Sequence, residues 1–527
     1  MNPLHQREEM HYDINDRVQS AVDAGGATTM FTYDALGNLL TLTDPLNHTT
    51  AWTYDARQRP LTRTDALQQQ ESWTYAPDET AATHTDRMNR TTSTTFDALG
   101  RVATRDESDG RHLAATYDPA DRLLSLADSA GPTTTYGYTP LDQVLSESGA
   151  AGAIAYTYDD HARRQSRTLS GQPTMTYAYD TRDRLASLTQ GGDTVTFGYD
   201  TADRRTRTTL PNGIVTTATF DDADRLMALT YTSMSAPRNA PPLGDLNYGY
   251  DAADRIVGRT GTWSNSALPA ATNVAGTVDA NNRLTGFNGQ SLSYDAAGNL
   301  IDDGVNHYVY DARNKLTQIT QGGVTTASFT YDVFGRRLSK TIGTVTTSYR
   351  YDGDNPIEET TAGQVSAILS GPGIDERYGR DEAGGRAYYL TDNLGSVVAL
   401  ANGSGTVTAQ YVYEPYGEVT STGSSDNPYQ YTGRENDGTG LYYYRARYYS
   451  TTLKRFEPPR LSRRLHSLRG WSDEKVEVFP RGTGASGSDG AGAPEGSWLA
   501  VGRDRLNQRQ DRLHARDPQA LGSAGRA

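Results

Sequence analysis

An aromatic residue followed by aspartate, two variable residues and a turn former recurs along most of this chain. The clearest copies are Tyr33-Asp34-Ala35-Leu36-Gly37, Phe96-Asp97-Ala98-Leu99-Gly100 and Tyr331-Asp332-Val333-Phe334-Gly335. Tyr12, Tyr33, Tyr54, Tyr75, Phe96, Tyr117 and Tyr138 are each 21 residues apart. The spacing loosens slightly through Tyr158, Tyr179, Tyr199 and Phe220, and resumes at Tyr294, Tyr310, Tyr331 and Tyr351 after two longer gaps. A fixed period in the range of about 20–50 residues marks a stacked repeat architecture in which each unit leans on its neighbours.

Each unit reads as one β-hairpin. Thr29-Met30-Phe31-Thr32-Tyr33 alternates polar and apolar, as a half-buried strand does. Asp34 to Gly37 supplies a type I turn followed by a left-handed residue, and Asn38 to Thr43 returns. The fourth residue after each lead aromatic should therefore tolerate positive φ, which favours Gly, Asn and Asp. Of 17 lead positions, counting the irregular Val278, 14 meet this, and Gln58, Glu79 and Ala162 do not. An arginine often follows, as at Arg101, Arg122, Arg184, Arg225 and Arg336. The Asp and Arg are read as a turn cap and a solvated cross-strand charge rather than as catalytic groups. Met234 to Leu243, with three prolines, and Trp263 to Gly276 are expected to be loops.

Composition favours a sheet with much wet surface. Hydrophobic content is 35%, Tyr outnumbers Phe 34 to 9, and Thr is abundant. Tyr and Thr combine apolar surface with a hydroxyl that a neighbour or water can satisfy. Seventeen hairpins laid side by side would span on the order of 160 Å, so the sheet must coil. Closed in one turn it would be roughly 50 Å across and hollow. The expected fold is all-β: antiparallel hairpins forming a coiled, hollow cocoon over residues 1–356.

Residues 357–458 change in texture. They carry Tyr388-Tyr389-Leu390-Thr391-Asp392-Asn393-Leu394-Gly395-Ser396-Val397, Tyr413-Glu414-Pro415-Tyr416-Gly417, Tyr431-Thr432-Gly433-Arg434-Glu435, and Gly440-Leu441-Tyr442-Tyr443-Tyr444-Arg445-Ala446-Arg447-Tyr448-Tyr449. Aromatics this dense in a sheet are expected to pack across strands. No Tyr follows Tyr449, and residues 459–527 are rich in Arg, Gly, Ser and Ala. This tail is expected to be mostly disordered, with a weak helical pattern over Ala500 to Leu513.

The net charge of −14 argues against a nucleic-acid partner. With no Cys there is no disulfide framework, thiolate nucleophile or Cys-bound metal. The nine His are scattered without zinc spacing, and neither a nucleophile elbow nor a phosphate loop is present. No apolar run is long enough to span a membrane, and none at the start resembles a signal peptide.

Together these motifs resemble the bacterial Rhs and YD-repeat proteins: the repeats over about residues 10–356, and the tyrosine-rich runs over about 386–456 the family's repeat-associated core domain. The resemblance implies a spiral cocoon that encloses a C-terminal toxin polypeptide, a plug-like core that cleaves the toxin free through aspartates, and a role in bacterial competition. It further implies export by type VI or related secretion, with spike and immunity proteins as partners, or display at the cell surface. A cell-wall-associated carbohydrate binder is the alternative that the same family offers. The sequence departs from the family at the cleavage motif. Ser450 stands where the family carries Asp, Lys454-Arg455-Phe456 keeps a trace of Gly-Arg-Phe, and Glu457-Pro458-Pro459-Arg460 replaces the Asp-Pro stretch. Asp517-Pro518 lacks the glycine context. No catalytic, metal or cofactor residue is therefore carried over, an enzymatic role is left open and leans towards none, and both ends read as truncated.

Overall fold

The computed structural model describes residues 9–264 and 275–457. The expected disordered tail at 459–527, its helical pattern and Asp517-Pro518 lie outside the described residues, as does most of the 263–276 loop. Among the described residues there is no α-helix; antiparallel strands and one short 3-10 turn account for the regular structure.

Within each sheet, every strand pairs with the next in sequence. The first sheet has 24 strands, from Glu9–Tyr12 to Ile256–Thr260. A 3-stranded piece over Gly276–Val278, Leu284–Phe287 and Gln290–Ser291 follows. A 14-stranded sheet then runs from Ser293–Tyr294 to Val419–Gly423, unbroken across residues 356 and 357. A 4-stranded sheet, from Glu435–Asn436 to Arg455–Glu457, ends the described chain.

The repeat phrase explains the hairpin atom by atom. Asp34 Oδ1 accepts the backbone N–H of Leu36 and Asn38, closing the turn, and Gly37 takes φ 90°. In most units Oδ2 binds the arginine that follows, as Asp97 binds Arg101 at 2.7 Å. That arginine then stacks on the next lead aromatic: Arg101 sits 4.5 Å from the Tyr117 ring centre and Arg59 4.2 Å from that of Tyr75. It also reaches the carboxylate in the next turn, as Arg101 reaches Asp121 at 2.7 Å. The arginines are thus stacked links between hairpins as well as partners in cross-strand charge pairs.

Tyrosine outnumbers phenylalanine for a specific reason. The pairing of Leu39–Thr43 with Thr49–Tyr54 begins at Thr41, so the Leu39 carbonyl lies beyond the ladder. Tyr54 Oη donates to it at 2.9 Å. Tyr33, Tyr75, Tyr117, Tyr138 and Tyr179 do the same to the carbonyl 15 residues back. Each unit thereby satisfies a carbonyl that its predecessor leaves open. Tyr54→Phe is expected to cost about 1 kcal/mol, read as faster amide exchange in residues 39–54 with Tyr33–Thr43 pairing kept. Threonines pair across strands in the same regular way, with Thr32, Thr53 and Thr74 bonded to Thr41, Thr62 and Thr83 at 2.6 Å.

Sixteen of the 17 fourth positions take positive φ, the exceptions Gln58 (63°), Glu79 (62°) and Ala162 (63°) included. Position 355 alone does not: Asp352 pairs with Asn355 across a tighter turn, and Gly353 takes the left-handed conformation at φ 57°. Ala162 gains nothing from its methyl group, which is exposed. Ala162→Gly is expected to stabilise by about 0.5–1 kcal/mol, the left-handed penalty relieved less the glycine's extra chain entropy; a urea titration checks it.

The sheet coils, and it meets itself. Arg87 donates to the Ala297 carbonyl, 210 residues away, at 2.7 Å, and Arg90 to that of Asp311, 221 away, at 3.0 Å. Arg336 binds Glu147 across 189 residues and Arg386 binds Asp193 across 193. The turns at 86–90 lie at the hairpin ends opposite the lead tyrosines, whereas those at 295–298 and 311–314 follow them. The second pass therefore stacks its lead-end rim on the far-end rim of the first. Val333 and Phe334 at one such turn pack on Leu113 and Leu126, whereas Leu36 and Leu99 at the equivalent turns of the first pass are exposed. A separation near 200 residues corresponds to about 19 strands per pass, so the coil is roughly 30 Å across, narrower than the 50 Å expected from a single closure.

Further along, rim contact gives way to face contact. Leu369, Tyr388, Leu390 and Val398 pack on Met175, Leu188, Ile214, Tyr231 and Leu246 of the first pass. The opposite face of the same strands, through Ile368, Tyr389, Val397 and Leu400, packs on Tyr411 and Tyr429. Val397–Ala401 is consequently buried along its whole length. Strands Thr49–Tyr54 and Gln70–Tyr75, by contrast, have no fully buried residue. The apolar core thus sits where two passes overlap, and single-layer wall elsewhere keeps both faces partly wet.

Candidate functional site: buried ionic groups under the C-terminal sheet

The residues most unlike the repeat pattern converge where the C-terminal sheet meets the second pass. Arg337, in strand Arg337–Ile342, is completely buried. Its Nη1 donates to Asp437 Oδ2 and its Nη2 to Glu435 Oε2, both at 2.6 Å. Lys340 Nζ lies 3.0 Å from Asp437 Oδ1, and Tyr349 Oη donates to Glu435 Oε1 at 2.6 Å. The guanidinium rests 3.9 Å from the Tyr443 ring centre. Two cations and two carboxylates balance. Burial alone would raise Glu435, but Arg337, Lys340 and the Tyr349 hydroxyl outweigh it and hold the carboxyl below its ordinary range. This cluster clamps the C-terminal sheet to the wall. Tyr331 Oη adds a link to Tyr448 at 2.8 Å.

A second group lies beside it. Asp375 accepts from Arg377, Arg434 and Arg445 at 3.1, 3.0 and 2.7 Å. Burial, with Arg445 and Arg377 close by, pulls Arg434 down to about 10 against the opposing pull of Asp375. Asp392, buried in the next turn, is pushed up by burial despite Arg259 at 3.2 Å.

The position at which the family resemblance implies an aspartate is filled by Ser450. It is buried in the strand Tyr448–Ser450, and its Oγ accepts the Leu453 N–H at 3.1 Å, closing a turn in which Lys454 takes φ 57°. A neutral hydroxyl that caps a turn supplies no carboxylate for acid–base work. No group of three or more metal-binding side chains occurs among the described residues. The aromatic runs pack against one another, as Tyr431 does on Tyr442 and Tyr449.

The acid response follows from the depressed carboxylates. Burial raises Glu71, but bonds from His84 and Arg63 and their charges bring it down to about 2. Glu435 and Asp352 are also lowered. A carboxyl whose folded pKa lies below its unfolded value stabilises above the latter and loses that contribution as pH falls through the folded value. Thermal stability is expected to hold from pH 7 to about 5 and drop steeply between about pH 4 and 2. Asp392 has the opposite sign and makes a small contribution that fades as pH rises. Melting curves across this range check the balance.

Comparison with known proteins gives this architecture a family. The RHS repeat model matches residues 12–49 and 33–70, and the Teneurin YD-shell model matches 113–235. The chain is an Rhs/YD-repeat protein. A tRNA3(Ser)-specific nuclease WapA of Bacillus spizizenii is 38% identical to this YD-repeat chain over 178 residues, 32% of this chain and 8% of the relative. Double-stranded DNA deaminase toxin A of Burkholderia cenocepacia is 25% identical over 269 residues, 40% of this chain and 19% of the toxin. Toxin subunit YenC1 of Yersinia entomophaga is 43% identical over 68 residues, 12% of this chain and 7% of the subunit. The structure of TcdB2-TccC3-Cdc42 matches with a TM-score of 0.55 and 15% identity, over 85% of this chain and 32% of that one. The YD-repeat chain thus spans a small part of each relative's length, and the structural likeness establishes a shared shell fold.

Proposed function

We propose that this YD-repeat chain forms part of a container wall that sequesters a toxin polypeptide, with residues 357–457 closing one end. The observation that carries this reading is the overlap of the two passes: a sheet that stacks rim on rim and then turns face on face builds a coiled wall with a filled end. Similarity to toxin proteins supports the same reading. A bore of roughly 30 Å between backbones narrows further once side chains line it. A packed 100-residue domain, with a radius of gyration of about 13 Å, would fill or exceed it, so cargo within this turn would be held as unpacked chain. Glu457-Pro458-Pro459-Arg460 in place of the family's Asp-Pro stretch supports a wall that does not cut itself. Delivery by a secretion system and recognition by an immunity protein belong to the same proposal.

The carbohydrate alternative has less support. Lead tyrosines would need bare ring faces for sugar stacking, but Tyr33, Tyr75, Tyr117 and Tyr179 are each covered by an arginine and use their hydroxyls inside the wall.

Electron microscopy and protease protection test the container. The full chain carrying a protease-sensitive peptide after its last residue should image as a closed hollow body and protect the peptide until mild denaturant opens the coil. An open ribbon, or peptide cleavage as fast as in the free peptide, would remove the proposal. An intact mass of 57.4 kDa after purification is the expected result for a wall that does not cleave itself.

A further inference from the structure

We propose that the recess bounded by Arg377, Arg434 and Arg445 binds one small oxyanion, a carboxylate or phosphate group. The recess is small and partly open to solvent, and Tyr351, Pro356 and Tyr443 form its apolar wall. Three acids face it: Asp354, Asp375 and Glu435. Glu435 is already matched from its other side by Arg337 and Lys340, whose remaining charge falls to Asp437. Three guanidiniums therefore meet two aspartates, which leaves one positive charge in excess in a place where water is scarce.

The hydrogen bonds are incomplete in the same way. The Nε groups of Arg377 and Arg434 are buried with no partner, and the Arg377 side chain is only 7% exposed. Leaving a charged donor buried and unmatched is costly, so the protein's own acceptors do not fully offset the positive charge around the recess. Both guanidiniums are held in place. Arg377 stacks 4.0 Å from the Tyr429 ring centre and Arg434 5.0 Å from that of Tyr444. Arg445 is fixed by Asn355 at 3.0 Å and by the Asp354 carbonyl at 3.0 Å. Planar guanidinium forks suit two-oxygen acceptors, and the volume admits a single small group rather than a polymer. Arg434 follows the left-handed Gly433 in a turn built like those of the repeats, but Arg377 and Arg445 do not hold that rim position, so the repeat does not explain their convergence on Asp375.

Calorimetric titration of the full chain with sodium phosphate and, separately, sodium acetate at constant ionic strength tests the site. Saturable one-to-one binding of either anion is expected. Phosphate alone would mark a phosphate group as the ligand, and both a carboxylate-sized one. Arg434→Gln should weaken binding at least tenfold, and Arg17→Gln, in the first turn of the wall, should leave it unchanged. A measurement without variants guards against misfolding: phosphate should slow phenylglyoxal modification of Arg434 but not of Arg17 in the wild type, read by peptide mass spectrometry. No saturable heat with either anion, equal binding by Arg434→Gln, or equal modification rates with and without phosphate would each overturn the proposal.

Discussion

Replacing Arg337 with methionine is expected to destabilise the C-terminal sheet by about 3–5 kcal/mol, the range seen when one partner of a buried ion pair is removed. The magnitude reflects what stays behind. Glu435 and Asp437 would remain buried with Lys340 as their one ion-pair partner left among the described residues, and the face of Tyr443 would lose the group stacked on it. Hydrogen exchange should quicken sharply in Leu441–Tyr443 and Tyr448–Ser450 and stay as it was in Thr28–Tyr33, many hairpins away. Pairing the change with Glu435→Gln should recover part of the loss, because one stranded charge is then removed. Unchanged exchange over 441–450 would show that the cluster does not clamp the sheet.

The second large effect is expected at Leu400. Its side chain is 0% exposed, in a strand that is buried on both faces. Leu400→Ala removes apolar volume among Ile368, Tyr389, Val397 and Tyr429, where neighbours on two sides resist collapse. The expected cost is about 3–4 kcal/mol, within the range for such truncations. Leu42→Ala in the half-exposed single-layer wall should cost about 1 kcal/mol. Repeat walls need not unfold in one step, so exchange measured segment by segment is the appropriate comparison. Equal costs at the two sites would contradict the overlap of passes.

Much of this was legible in the chain because the period exposes local rules. A left-handed turn residue leaves the same mark every 21 residues, and the strand alternation around Tyr33 and Phe96 needs no tertiary information. The role of the Tyr54 hydroxyl was not legible. Its partner, the Leu39 carbonyl, is left open by where the ladder stops, and that depends on register. The stacking of Arg101 on Tyr117 was hidden for the same reason: the residues are 16 apart and adjacent only once two hairpins lie side by side. Position 355 was misread because Gly353 offers an equally good left-handed residue two places earlier. Arg336 and Arg337 are neighbours in sequence; one is the repeat's rim arginine and the other a core cation, and only the docking of residues 435–437 onto that strand distinguishes them. The arginines around Asp375 include one, Arg445, that lies 70 residues from it, a distance no repeat pattern links.

The bonds between hairpins reach back 15 residues, whereas those joining one pass to the next span 145 to 238. Contacts so different in chain distance form at different times. A flat, flexible ribbon can zip up locally as the polypeptide emerges, and it becomes a tube only when the later stretch arrives to close the seam. Anything to be stored inside must therefore be present before the seam shuts, and loosening the seam would empty the tube while leaving the ribbon itself zipped.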